Sequence, residues 1–144
     1  MMEVKNWVRL EFPSESENVL FARTAVAVFA SQLDFTLEEI EDIKVAVSEA
    51  VSNCVIHAYG DCSGNIVVIC KYSIDELEIT VEDNGCGIPD IVQASEAGYT
   101  TIPEERMGLG LVFIHELMDH VAIASEVGKG TKLLMAKRIP RSRE

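Results

Sequence analysis

The chain has 144 residues, 48% of them hydrophobic and 25% charged, with a formal net charge of −12. That is enough for one domain with a real core and an ordinary soluble balance of residues. The excess of acid argues against a broad surface for the phosphate backbone of nucleic acid, and the longest apolar run, Ala25 to Ala30, is far too short to span a bilayer.

Val4 to Phe12 places Val8, Leu10 and Phe12 on one side and Arg9 and Glu11 on the other, the alternation of a strand that Pro13 ends. Ser14-Glu15-Ser16-Glu17 reads as a capping box and predicts a helix from about Glu15 to Leu33. That helix is apolar nearly all round, from Val19 through Phe21, Val26 and Phe29 to Leu33. Only a stripe is needed to meet a sheet, so the surplus predicts a second buried surface, against another helix or a partner chain. Arg23 interrupts it, as a snorkelling side chain or as a polar anchor in an interface.

Thr36-Leu37-Glu38-Glu39 is a second capping box, opening a helix that runs to about Tyr59. The short connection through Asp34 and Phe35 predicts that the two helices pack as antiparallel neighbours. On the second helix Ile43, Val47, Ala50, Val51, Cys54 and Val55 are core material, whereas Glu49, Asn53 and His57 recur every four residues and share one stripe. A carboxylate, an amide and an imidazole on a mostly apolar helix cost desolvation free energy unless something pairs with them.

Gly60 and the turn Asp61 to Gly64 close this helix, and two strands follow, Asn65 to Ser73 and Leu77 to Glu82, joined by a hairpin at Ile74-Asp75-Glu76. Gly85 and Gly87 come directly after the second strand, where the backbone must turn tightly or lie close to a ligand. A short helix is expected over Asp90 to Glu96, and residues 97–107, without periodicity, read as a lid. Gly108 and Gly110 lead into a helix ending near Met118, and Val121 to Val127 and Thr131 to Ile139 are the closing strands around Gly128-Lys129-Gly130. Lys129, Lys132, Lys137, Arg138, Arg141 and Arg143 supply half of the 12 basic residues, as expected of a solvated edge strand and a frayed end. Of the four cysteines, Cys54 and Cys70 fall in apolar runs and read as small core residues, and no pair with Cys62 or Cys86 has CxxC spacing for a metal or redox motif. The whole chain, 1–144, reads as one α+β domain, a two-layer sandwich with a mixed, mostly antiparallel sheet and helices on one face. The start MMEVKNWVRLEF lacks a basic stretch followed by a long apolar one, so a cytoplasmic protein without a secretory signal is expected.

Four pieces stand in order: Glu49-x-x-x-Asn53, Asp83-x-Gly85-x-Gly87, Gly108-x-Gly110 and Gly128-x-Gly130-Thr131. Each alone is weak, but together, on this fold, they resemble the N, G1, G2 and G3 boxes of the GHKL ATPase superfamily and its Bergerat nucleotide-binding fold. Within it, VSEAVSNCVIHAY, YTTIPEERMGLGL and ENVLFARTAVAVFASQLD resemble the anti-sigma factors that are also serine kinases, the sporulation type directed at sigma F first and the general-stress type directed at sigma B second.

The resemblance implies ATP or ADP with Mg2+ as ligands. It implies Asn53 as the metal ligand, a hard oxygen donor suited to magnesium, and Glu49 as the general base one turn away. It implies Asp83 as acceptor for the adenine amino group, which favours ATP over GTP. Gly85 and Gly87 would let the backbone pass beneath the base, with Thr131 supporting Asp83 or a water beside it. It further implies contacts to nucleotide from the lid residues Thr100 and Thr101, and to phosphate from Gly108 and Gly110 at a helix N-terminus. Arg106 would offset charge at the γ-phosphate. It implies a homodimer, an RNA polymerase sigma factor of the sigma F type and a serine-phosphorylated anti-anti-sigma factor as partners, with Arg23 touching both, and neither nucleic acid nor membrane. Ala58 stands where the family has glycine, and Met107 where a small polar residue is common. A nucleotide-gated binding module without kinase activity is the alternative, and Glu49 discriminates, since a pure sensor has no need of a carboxylate beside the γ-phosphate.

Overall fold

The computed structural model describes residues 3–55, 64–83, 109–126 and 130–140. Eight elements run in the order β1 (Asn6–Pro13), α1 (Glu17–Ala30), α2 (Leu37–Asn53), β2 (Asn65–Tyr72), β3 (Glu76–Asp83), α3 (Leu109–Leu117), β4 (His120–Glu126) and β5 (Gly130–Arg138). The five strands form one sheet in the order β1-β2-β3-β5-β4, and all four pairings are antiparallel. This is the expected α+β sandwich. The expected helix over Asp90 to Glu96 and the lid at 97–107 lie outside the described residues.

The strand register lines up apolar side chains across the sheet. Val8, Cys70, Ile79, Met135 and Val121 are successive cross-strand partners, as are Leu10, Val68, Val81, Leu133 and Ile123. Both rows belong to the core shared with the helices. A third row starts in the same way, with Phe12 opposite Ile66, and then turns polar: Ile66 faces Asp83, which faces Thr131. The apolar layer therefore ends along one line, and Asp83 stands on it.

Helix α2 is the middle of the helical layer, packed against both α1 and α3. Its buried residues Ile43, Ala46, Val47, Ala50 and Val51 follow the i, i+3, i+4 spacing of a helix that needs a broad apolar face. Each large aliphatic side chain so buried contributes roughly 1.5–3 kcal/mol. Its N-terminus is closed by the predicted capping box: the Glu39 amide donates to the Thr36 hydroxyl at 3.1 Å and the Thr36 amide to the Glu39 carboxylate at 2.8 Å.

The capping box expected at Ser14 is absent. Strand β1 pairs through Pro13, so the Ser14 amide donates to the Gly64 carbonyl at 3.1 Å and is not free for Glu17. Helix α1 starts at Glu17 with Ser16 as its N-cap and no side-chain cap bond, while the Asn18 amide group donates to the Pro13 carbonyl at 3.1 Å. Its inner residues Ala22, Val26, Phe29 and Ala30 are buried, yet Leu20, Phe21 and Val28 are each more than half exposed. The surplus apolar surface anticipated for this helix is therefore left open by the described part of the chain.

The basic strand near the C-terminus is not an edge. β5 lies between β3 and β4, and Lys137 is buried, donating to the Leu117 carbonyl at the end of α3. The Asp119 amide donates to the Ala136 carbonyl at 2.9 Å and its carboxylate accepts from the Arg138 amide at 2.7 Å. These bonds fasten the C-terminal end of α3 to the sheet, and a cation there also suits the helix dipole.

Thr36→Ala removes the α2 cap without touching the core. It is expected to cost about 0.5–2 kcal/mol, read as a lower urea midpoint at unchanged slope. An unchanged midpoint would mean that the cap contributes nothing.

Candidate functional site

The C-terminal turn of α2 meets the end of β3. The α-helical hydrogen bonding of α2 gives way to a π-helical turn at Cys54 and Val55, a local widening that recurs at functional sites. Cys54 is buried there, beside the Asp83 carboxylate. Asp83 is only 4% exposed. On its other side the Thr131 backbone amide donates to Asp83 Oδ1 at 3.3 Å. Three separate elements thus converge on one buried carboxylate.

A positive φ helps to make that convergence possible. Gly130, the first residue of β5, has φ 105°, a region that disfavours a side chain bearing Cβ. It turns the chain so that Thr131 enters the ladder opposite Asp83.

Burial and, next, the adjacent Asp83 charge push the Cys54 thiol well above its ordinary pKa. It therefore stays a neutral thiol at neutral pH. Cys70, in the middle of the sheet, is pushed up by burial alone, to about 12, and both are free thiols. The reading of the two as core residues holds, and Cys54 also stands beside a carboxylate, which its apolar neighbours in sequence did not signal. The cue available was its position, directly after Asn53.

Glu49 and Asn53 lie on the flank of α2, four residues apart and half-buried. Their side chains form no hydrogen bond among the described residues. A half-buried carboxylate and amide without protein partners fit a site that takes an ion and a polar ligand. An amide oxygen is the kind of hard donor magnesium accepts, and magnesium commonly takes one or two protein ligands, completing its shell with phosphate and water. Among the described residues no cluster of three or more His, Cys, Asp or Glu side chains could hold a metal ion by itself.

The family model for the histidine kinase-like ATPase domain matches residues 12–137. Three relatives, each named anti-sigma F factor, match nearly from end to end. That of Clostridium perfringens strain SM101 is 50% identical over 137 residues, covering 93% of this chain and 97% of the relative. That of Pasteuria penetrans is 49% identical over 142 residues, covering 96% and 95%. That of Caldanaerobacter subterraneus subsp. tengcongensis is 47% identical over 143 residues, covering 99% and 100%. The chain belongs to the anti-sigma F factor family. The matched domain type is an ATPase, so a nucleotide is the ligand for which the family site is built.

Of the residues singled out for that site, the fold brings Asp83 and Thr131 into contact, and through Cys54 it brings the end of α2, with Asn53 and Glu49, to the same seam. Gly110 lies in the first turn of α3. Gly85, Gly87, Thr100, Thr101, Arg106 and Gly108 lie outside the described residues, as do His57, Ala58 and Met107. Arg23 is on α1, half-buried, and its Nε is enclosed without a hydrogen-bond partner among the described residues. No described helix is long and apolar enough to cross a membrane.

Proposed function

We propose that this protein is an ATP-dependent serine kinase that also holds an RNA polymerase sigma factor of the sigma F type inactive. In this reading it phosphorylates a serine on the anti-anti-sigma factor that would otherwise release the sigma factor. The observation that carries the nucleotide half is the buried carboxylate of Asp83 at the limit of the apolar layer, held by the Thr131 amide beside the end of α2. The sigma-binding half is supported by the name shared by the relatives.

Asp83 accepts from the adenine amino group. Guanine presents a carbonyl at that position, which a carboxylate repels, and a hydrogen bond to a charged group contributes roughly 1.5–3 kcal/mol. In the same reading Gly85 and Gly87 would leave room for the base, Thr100 and Thr101 would close over the nucleotide, and the amides at Gly108 and Gly110 would serve the phosphates. Asn53 would hold Mg2+ with its side-chain oxygen. The ion, when bound, offsets charge on the phosphates. Glu49 takes the proton from the serine hydroxyl as that oxygen bonds to the γ-phosphorus and the bond to the ADP oxygen breaks. Arg106 offsets the charge that develops on the transferred group.

Partner binding is assigned to α1. Arg23 has an enclosed Nε awaiting an acceptor, and Leu20, Phe21 and Val28 offer open apolar surface beside it. Arginine among apolar residues is a common composition for the centre of an interface. A homodimer, a cytoplasmic location and ordering of residues 97–107 by the γ-phosphate belong to the same proposal.

Two outcomes test it. With labelled ATP, magnesium and the candidate antagonist, Glu49→Gln should leave ATP binding nearly intact and lower phosphoserine formation by about 10²–10⁴-fold, the scale of general-base loss. Equal rates for the variant and the parent would remove Glu49 from that role and favour the non-catalytic module. Arg23→Glu should abolish sigma and antagonist binding in a pull-down while nucleotide affinity persists. Retained partner affinity would move the interface elsewhere.

A further inference from the structure

We propose that Lys137, seconded by Asp119, positions the phosphate end of the nucleotide site: bonds at the C-terminal end of α3 set where that helix stands on the sheet, and so where the amides of its first turn, Gly110 among them, meet the phosphates. This rests on the reading of the start of α3 as the phosphate-facing end and adds the part of the fold that holds it there.

Helix α3 has 9 residues, Leu109–Leu117, and a helix of that length is marginal on its own. Its place must come from its contacts. Of its described side chains, Ile114 is buried and Leu117 partly so, with Met118 buried just beyond, whereas Val112, Phe113, His115 and Glu116 are exposed. Packing along so narrow a stripe leaves the helix weakly held against sliding. Bonds to three successive residues of β5 supply the missing restraint. The Lys137 ammonium donates to the Leu117 carbonyl, the Asp119 amide donates to the Ala136 carbonyl at 2.9 Å, and the Arg138 amide donates to the Asp119 carboxylate at 2.7 Å. Of the three, only the lysine bond reaches the helix itself. The same strand begins at Gly130 and Thr131, where the Thr131 amide holds Asp83 at 3.3 Å. β5 therefore fixes the base end of the site near its start and α3 near its finish, and it has strand neighbours on both sides.

Lysine is a costly residue to bury. Lys137 is 9% exposed and pairs with the core residue Leu77, and a buried cation loses hydration that one carbonyl replaces only in part. An apolar side chain commonly serves a buried position as well or better for stability. What it cannot do is bond the Leu117 carbonyl, whose partial negative charge at the helix end suits a cation. The chemistry of the residue thus points to fixing α3 more than to stabilising the core. Loss of the bond frees α3 to shift. A ligand held through its phosphates then loses contacts, and one held only by its base does not.

The test is calorimetric titration of the intact protein with ATP and magnesium, or with adenosine, for the parent, Lys137→Met and Asp119→Ala, with a thermal melt of each. Lys137→Met fills similar space without a donor and is expected to melt near the parent. It is expected to lose about threefold to tenfold in ATP affinity, the range of one hydrogen bond, with adenosine affinity changed less than about twofold. Asp119→Ala, at an exposed position, is expected to lose ATP affinity in the same selective way, by about twofold to fivefold. It keeps the comparison available should Lys137→Met fail to fold. Equal losses for ATP and adenosine, or unchanged ATP affinity in the folded variants, would reduce these residues to packing and overturn the proposal. The parent separates the two readings. If it prefers ATP to adenosine and the variants keep the full preference, the positioning role alone fails. If the parent binds ATP no more tightly than adenosine, the phosphate assignment of α3 itself fails.

Discussion

The apolar seam between α2 and the sheet is the constraint from which the site follows. Ile43, Ala46, Val47, Ala50 and Val51 are buried because α2 has neighbours on three sides, α1, α3 and the cross-strand rows of the sheet. Protein interiors are close-packed, so a helix held in this way cannot slide or rotate without opening voids. Whatever stands on its last turn is therefore fixed relative to β3. Cys54 is the last core residue of the seam and stands beside the Asp83 carboxylate. The boundary between core and site runs through that side chain.

This arrangement explains why a strongly acidic protein can offer a site for a polyanion. The net charge of −12 opposes binding of phosphate in general, so attraction must be local and short-range. A buried carboxylate that accepts from a neutral base does not use net charge at all, because its selectivity comes from donor and acceptor placement. The phosphate end needs backbone amides and a cation, which is the role proposed for the helix N-terminus at α3 and for the ion at Asn53. The open apolar strip on α1 is a separate surface on the same helical layer. Because α1 packs on α2, a partner seated there would rest on the neighbour of the helix that carries Glu49 and Asn53.

Local patterns were readable in the sequence wherever they were closed by local bonds. The Thr36 box formed because both of its bonds join residues three apart. The Ser14 box did not, because the Ser14 amide was claimed by Gly64, fifty positions along the chain, once β1 had paired with β2. The alternation of Val8, Leu10 and Phe12 and the spacing on α2 both predicted the faces that are buried. Strand order was harder. A run of basic residues suggests an edge, yet β5 is interior, and Lys137 is accommodated there by bonding the end of α3. The box residues Asp83 and Thr131 were legible as motif positions, and their register pairing gives that motif a geometry. The partnership of Cys54 with Asp83 was not legible, since cysteine in an apolar run predicts only burial.

The most direct measurement of the central claim is a crystal structure of the protein with magnesium and a non-hydrolysable ATP analogue. The account predicts the adenine amino group within hydrogen-bond distance of the Asp83 carboxylate and the ion in contact with the Asn53 side-chain oxygen. A nucleotide bound away from the junction of α2 and β3, with Asn53 remote from any ion, would contradict it.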